Sequence, residues 1–211
     1  MIAGQLIGLF VLGYLIGAIP FGVIAGRLVR GIDVRDYGSG GMGMTNVMRT
    51  VGRKAGLLVM IADLLKGAGA VALAWPIVGT SSDMLGWGHA IAGMAAVIGH
   101  SWPVYIRFKG GKGIATGAGA LLVIYWPVAL ISVVVFIAVV RLTRYVSLGS
   151  ILATLAMLLS MIPFVIYEME PVASVAFAAA VAAVIIFRHR GNISRLRSRT
   201  ESKIGQRVKT S

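Results

Sequence analysis

The sequence predicts an all-α membrane protein, a polytopic bundle of about seven transmembrane helices, some of them short or half-length. Three observations carry that prediction. Of the 211 residues, 58% are hydrophobic and only 13% charged, about half the ~25% charged share of soluble proteins. The mean hydropathy of +0.89 comes from long apolar runs, the length that a hydrocarbon layer of roughly 30 Å demands. Finally, the 20 Lys and Arg, against 7 Asp and Glu, fall in alternate polar breaks rather than throughout.

The apolar runs are 3–26, 56–78, 85–102, 113–125, 127–142, 147–166 and 171–187. The first has no basic stretch before it and exceeds the apolar core of a signal peptide, so it reads as a retained span. The third carries His89 and His100 near its ends. The fourth is short and glycine-rich (Gly113, Gly117, Gly119), the composition of a half-helix packed inside the bundle. Counting those two as internal gives five spans. Residues 188–211 read as a basic cytoplasmic tail, and 1–211 as a single domain.

Charge placement tests this division. Segments 27–54, 103–112, 141–146 and 188–211 hold six, three, two and eight basic residues, which is 19 of the 20. The turns between them hold only Asp83, Glu168 and Glu170. By the positive-inside bias, the N-terminus lies outside and the C-terminus in the cytoplasm. The same bias explains the net charge of +13 without nucleic acid as a partner. The remaining cation, Lys66, lies three residues after Asp63 inside the second span, on one helical face. Each would cost about 3 kcal/mol unpaired at the bilayer centre, so the two form either a structural ion pair or a support beneath a site.

The basic loops carry the chemistry. The first reads Gly38-Ser39-Gly40-Gly41-Met42-Gly43-Met44-Thr45-Asn46, then Arg49. Its G-x-G-x-x-G lacks the preceding strand of a dinucleotide site. What remains is an anion cradle: glycines that can turn N–H groups inward, hydroxyls at Ser39 and Thr45, and a cation at Arg49. The second loop carries Lys109, Gly110, Gly111, Lys112 and Gly113, then Thr116. It is not a Walker A loop, yet two lysines among glycines at a helix mouth suit a phosphate. Ser147 and Ser150 open the sixth span, and His189, Asn192, Arg195 and Glu201 follow the seventh.

Several chemistries are excluded. With no cysteine there is no disulfide, thiolate metal site or cysteine nucleophile. None of the three histidines is followed five residues on by Asp, no G-x-S-x-G is present, and no carboxylate and histidine cluster suits a metal. No cofactor is expected. A phosphate site without an evident base fits a reaction whose electrophile arrives activated.

At these residues the sequence resembles the bacterial integral-membrane glycerol-3-phosphate acyltransferases that use acyl phosphate, the PlsY family. The resemblance covers nearly the whole chain. It rests on Gly38 to Asn46 with Arg49, on Gly99 to Thr116, and on His189 to Leu196 with Glu201, supported by Asp63 to Gly67 and Ser147 to Ser150. Two positions depart from the family pattern: Gly41, where Asn is usual, and Met44, where Ala is usual. The loss of that amide predicts slower or weaker binding.

The resemblance implies a seven-helix fold in the bacterial inner membrane with its site facing the cytoplasm. It implies acyl transfer from acyl phosphate to the 1-hydroxyl of glycerol 3-phosphate, giving lysophosphatidic acid and inorganic phosphate. This is the first acylation of phospholipid synthesis, substrate-assisted, with membrane lipid around it and an acyl-phosphate-forming enzyme upstream. The expected catalytic residues are Ser39, Arg49, Lys112, His189 and Asn192. The expected phosphate contacts are Gly38, Gly40, Gly43, Thr45, Asn46, Lys109, Gly110, Gly111, Gly113, Thr116 and Ser150. The competing reading is a transporter of a phosphorylated small anion, since glycine-rich helices and a basic vestibule also suit a conduction path. Against it, no matching outer vestibule and no inverted repeat is visible.

Overall fold

The structure, a computed structural model, describes residues 2–80 and 82–205. Among the described residues are ten α-helices: α1 (Ile2–Ala18), α2 (Phe21–Arg30), α3 (Met44–Thr50), α4 (Arg53–Ala72), α5 (Ala74–Val78), α6 (Ser82–Ser101), α7 (Ile114–Thr143), α8 (Val146–Ile166), α9 (Val172–Arg188) and α10 (Arg190–Arg197). Four stretches are long and apolar enough to cross a bilayer, namely 2–30, 53–78, 114–143 and 146–166. A fifth arises if α9 and α10, bent by 57°, are taken together.

Each predicted run became helix, with breaks that the apolar pattern did not show. The first span bends between α1 and α2 at Pro20, which has no N–H to continue the ladder. That break leaves the Ile19 carbonyl outside a regular helix, and Lys66 Nζ donates to it at 2.9 Å. Within the predicted tail, Arg188 ends α9, His189 caps α10, and residues 190–197 form α10; residues 206–211 of that tail lie outside the described residues.

α6 is the central helix, and small residues let its neighbours approach closely. Gly13 and Gly17 of α1 lie against the Ala92 and Ala96 backbone. Gly86 lies against Pro171 and Ala173, and Gly93 against Phe177. Both pairings rise together in number, so α1, α6 and α9 run parallel. Val71 near Gly93 and Ala74 near Gly88 show α4 and α5 running the opposite way. The main core gathers Val97, Leu121, Met157, Met161, Phe177, Val181 and Ile185 from α6 to α9.

α7 is two helices folded back on each other. Tyr125 leaves helical geometry at φ −155°, ψ 94°, and Pro127 opens the second half. Residues 126–143 run antiparallel to α8, with Gly149 against Val140 and Phe136, and Tyr125 4.8 Å from Phe164 at the far end. Gly113 packs on Val97, and Ala120 lies near Gly93, so the first half departs from the end of α6 at which the second half returns. A straight 30-residue helix would hold its ends ~45 Å apart. Here both ends reach one polar cluster, as the sequence division at 125–127 anticipated.

Candidate phosphate-binding site

The four basic loops meet at one end of the bundle. In the first loop, Asn46 is buried and its amide organises the turn: Oδ1 accepts Ser39 N at 2.9 Å, and Nδ2 donates to Val34 O (2.7 Å), Tyr37 O (3.1 Å) and Gly41 O (2.7 Å). Gly38 and Gly40 take positive φ, 62° and 69°, which a Cβ would disfavour. Gly43 stands at the N-terminus of α3 with ordinary extended geometry. Ser39 is exposed, while Thr45 and Arg49, in the first and last turns of α3, are half-buried.

The second loop leaves α6, passes a short 3-10 turn at Val104–Ile106 and enters α7 at Gly113. Gly113 takes φ 82°, the left-handed region that glycine tolerates. Gly110 and Gly111 are glycine for a different reason, close approach. A Cβ on Gly110 would stand 2.2 Å from His100 O, and one on Gly111 2.1 Å from His100 Nε2. α7 has no side-chain cap, so its first N–H groups lack helical partners. Lys109 is exposed, whereas Lys112 is half-buried.

Behind this loop a buried network replaces the bilayer's missing water. Lys66 Nζ lies 2.8 Å from Asp63 Oδ1, His100 Nδ1 lies 3.5 Å from the same oxygen, and Thr116 Oγ1 is 3.2 Å from His100 Nδ1. The Asp63–Lys66 ion pair thus lies next to the His100 ring on which the glycine loop packs. Thr116 is fully buried against His100, and Ser150 Oγ donates to Val146 O at 2.9 Å. Together with Asn46, these two predicted contacts direct their polar groups to the protein itself.

The C-terminal segment closes the site. Glu201 Oε1 accepts from Asn192 Nδ2 at 2.6 Å and Ser147 Oγ at 2.8 Å, and Oε2 accepts from Arg195 Nε at 2.7 Å. Burial alone would raise this carboxyl, but those donors outweigh it and hold it below its ordinary value. The chain then crosses to Arg49, whose Nη2 donates to Lys203 O at 3.3 Å, and to Arg144, whose carbonyl accepts Ile204 N at 2.8 Å.

Lys112 lies among these groups. Burial pushes its ammonium down to about 8; Glu201 opposes the shift, and Arg195, Arg188 and Arg49 reinforce it. Lys112 makes no hydrogen bond or ion pair among the described residues. Burial, then the Lys112 charge, lowers His189 to about 4. Its Nδ1 lies 2.8 Å from the Ile185 carbonyl, which can only accept, so the neutral ring donates there and leaves Nε2 as acceptor.

Sequence reasoning placed Ser39, Arg49, Lys112, His189 and Asn192 at one end of the bundle, and the structure gathers the segments carrying them there. It overlooked Arg35 and Arg188, which bind the carbonyls of the second loop. Both stand in basic runs that orientation already explains, so only the helical phase of Arg188, one turn before Asn192, offered a signal.

Fold and site together define an integral-membrane protein with a cluster of cationic, glycine-rich loops at one end of its bundle. Comparisons with known proteins specify it further. The family model for glycerol-3-phosphate acyltransferase matches residues 7–199. Among curated relatives, the glycerol-3-phosphate acyltransferase of a Synechococcus species is 42% identical over 202 residues, 96% of each chain. That of Exiguobacterium sibiricum is 44% identical over 206 residues, 97% of this chain and 96% of its own. The crystal structure of PlsY (YgiH), an integral membrane glycerol 3-phosphate acyltransferase, in its glycerol 3-phosphate form superposes with a TM-score of 0.85 at 40% identity, covering 95% of this chain and 96% of that one. This chain belongs to the glycerol-3-phosphate acyltransferase family.

Proposed function

We propose that this protein transfers an acyl group from acyl phosphate to the 1-hydroxyl of sn-glycerol 3-phosphate, giving lysophosphatidic acid and inorganic phosphate. The observation that carries the reading is Lys112, a half-buried cation without a partner among the described residues, beside Arg49, Arg188 and Arg195 at the mouth of α7. Family membership supports it, and so does a solved relative in a lysophosphatidic acid form, with a TM-score of 0.82 at 39% identity. That evidence gives no support to the transporter reading.

In this reading Arg49 and Lys112 hold substrate phosphate, with Ser39, Thr45 and the loop amides as further donors. Lys109 adds charge from outside. Asn46, Thr116 and Ser150 shape the loops from behind. The acceptor hydroxyl oxygen attacks the acyl carbonyl carbon, the carbonyl–phosphate C–O bond breaks, and phosphate departs with its electron pair. The proton has a better destination than His189. A phosphate monoester has a second pKa of about 6, above the value of about 4 to which His189 is depressed, so substrate phosphate is the stronger base. His189 and Asn192 then orient rather than ionise. Charge neutralisation and positioning lower the barrier.

The proposal extends to topology: one domain, seven spans with the α7 halves as the fourth and fifth, N-terminus outside, and the site on the cytoplasmic face of a bacterial inner membrane. The alternation of basic loops supports that orientation. Acyl phosphate, an activated mixed anhydride, needs an enzyme upstream to form it. The test is phosphate release from palmitoyl phosphate by purified protein, with and without glycerol 3-phosphate. Release that depends on the acceptor, with lysophosphatidic acid identified by mass, is expected; folded protein inactive with several chain lengths would overturn the reading.

A further inference from the structure

Two arginines grip the second glycine loop from opposite ends. Arg188, in the last turn of α9, donates Nε to Gly111 O and Nη2 to Gly110 O, both at 2.9 Å. Its guanidinium lies 5.4 Å from the Trp102 ring centroid, and the Trp102 carbonyl accepts the Tyr14 hydroxyl at 2.8 Å. Arg35, from the first loop, donates Nη1 to Ile106 O at 3.1 Å and Lys109 O at 3.3 Å. Its other nitrogens, Nε at 2.9 Å and Nη2 at 2.6 Å, are fixed side-on to Asp33. Four of the six carbonyls from Ile106 to Gly111 are thus held by guanidinium.

The consequence follows from the planarity of the peptide, which points each carbonyl and the next N–H in opposite directions. With Gly110 O on Arg188, the Gly111 N–H faces His100 O and bonds to it at 3.0 Å. With Gly111 O on Arg188, the Lys112 N–H faces away from that guanidinium. Left ungripped, these carbonyls could turn their negative ends towards an anion bound at Lys112.

We propose that Arg35 and Arg188 are positioning residues for the phosphate seat, holding the loop carbonyls aside so that Lys112 and the N-terminus of α7 are presented to substrate phosphate. The inference rests on the acyl-transfer reading. It differs from a direct phosphate contact, because lysine keeps the charge but lacks the rigid planar fork that places two separate nitrogens on the two carbonyls. Arg188→Lys therefore separates geometry from electrostatics.

The experiment uses the full chain in lipid nanodiscs, with Arg188→Lys, Arg35→Lys, and Arg190→Lys as a charge-preserving control, since exposed Arg190 packs on the Phe187 ring and donates to its carbonyl, away from the loop carbonyls. Two readouts are taken: steady-state kinetics for each substrate, and hydrogen exchange of residues 109–116 with and without inorganic phosphate. Arg188→Lys is expected to raise KM for one phosphate substrate by about tenfold or more while kcat falls less than about threefold. It should also lose the phosphate-induced protection at unchanged melting temperature, and Arg35→Lys should show the same pattern more weakly. Wild-type KM and protection in Arg188→Lys would overturn the proposal, as would a fall in kcat alone accompanied by a lowered melting temperature. If wild-type protein turns over no acyl phosphate, the function reading fails, and the exchange experiment alone then decides the clamp.

Discussion

The imidazole of His100 lies directly behind the backbone of Gly111, so that a Cβ on this glycine would stand 2.1 Å from Nε2. The ring cannot swing aside cheaply, because Nδ1 sits within 3.2 Å of Thr116 Oγ1 and 3.5 Å of Asp63. Gly111→Ala must therefore push the loop off its support. Overpacking of this kind costs about 1–3 kcal/mol, and the displaced loop carries Lys112. Turnover is expected to fall at least about tenfold with a lowered melting temperature. An alanine variant with wild-type rate and stability would show that the loop is not held where the structure puts it.

That contact illustrates what was legible in the sequence and what was not. Apolar runs located the long helices, and the alternation of basic segments located the four loops that meet at one end, because hydrocarbon thickness and charge exclusion act on composition. The glycines of the second loop were legible as a cradle, but their reasons differ: left-handed backbone at Gly113, packing on His100 at Gly110 and Gly111. Asn46, Thr116 and Ser150 looked like ligand contacts because their types suit phosphate. Which way a buried polar group turns depends on neighbours distant in sequence. For the same reason Arg35 and Arg188 were indistinguishable from charges that only set orientation.

Lys112 gives a pH prediction with two opposite signs. Its ammonium titrates at about 8, lowered first by burial and further by Arg195, Arg188 and Arg49 against the pull of Glu201. Below that value the cation is present to hold phosphate, so kcat/KM, which reports the unliganded enzyme, should fall as pH rises through about 8. Stability should move the other way. The unfolded lysine keeps its proton up to its ordinary value of 10.5, so between about 8 and 10.5 the unfolded state binds more protons and stability rises with pH. Lys112→Arg should abolish the alkaline fall if the longer side chain is accommodated, and Lys112→Ala should lower kcat/KM by about a hundredfold or more. A loss within about threefold in Lys112→Ala would remove this residue from the site.

Gly41 is one of the two loop positions, with Met44, at which the sequence differs from the pattern it resembles. Its backbone is outside the positive-φ region, and a Cβ there would meet nothing nearer than Ser39 Oγ at 3.9 Å. Its carbonyl already accepts from Asn46 Nδ2 at 2.7 Å, a bond that a side chain leaves intact. Gly41→Asn is therefore expected to fold normally and to raise kcat/KM by about two- to fivefold, the gain of one hydrogen bond worth up to ~1 kcal/mol. Titrating both substrates against both proteins checks it, and a tenfold loss would show that this chain's loop binds substrate in a different register.

The Asp63–Lys66 pair separates stability from activity. Both side chains are at most 3% exposed, and Lys66 also donates to the Ile19 carbonyl left over at the α1–α2 break. Removing one partner leaves the other charge buried, which typically costs about 3–5 kcal/mol. Asp63→Asn should accordingly lower the melting temperature in detergent sharply. Asp63→Asn with Lys66→Met removes both charges and should recover much of that loss, because a buried pair often contributes little beyond its own desolvation. Activity should not recover with it, since His100 would face a neutral amide in place of the carboxylate that lies 3.5 Å from its Nδ1, and the glycine loop packs on that ring. A double variant restored in both stability and turnover would reduce the pair to an ion pair inside the bundle. Restored stability with turnover still depressed would place it in the support of the phosphate loop.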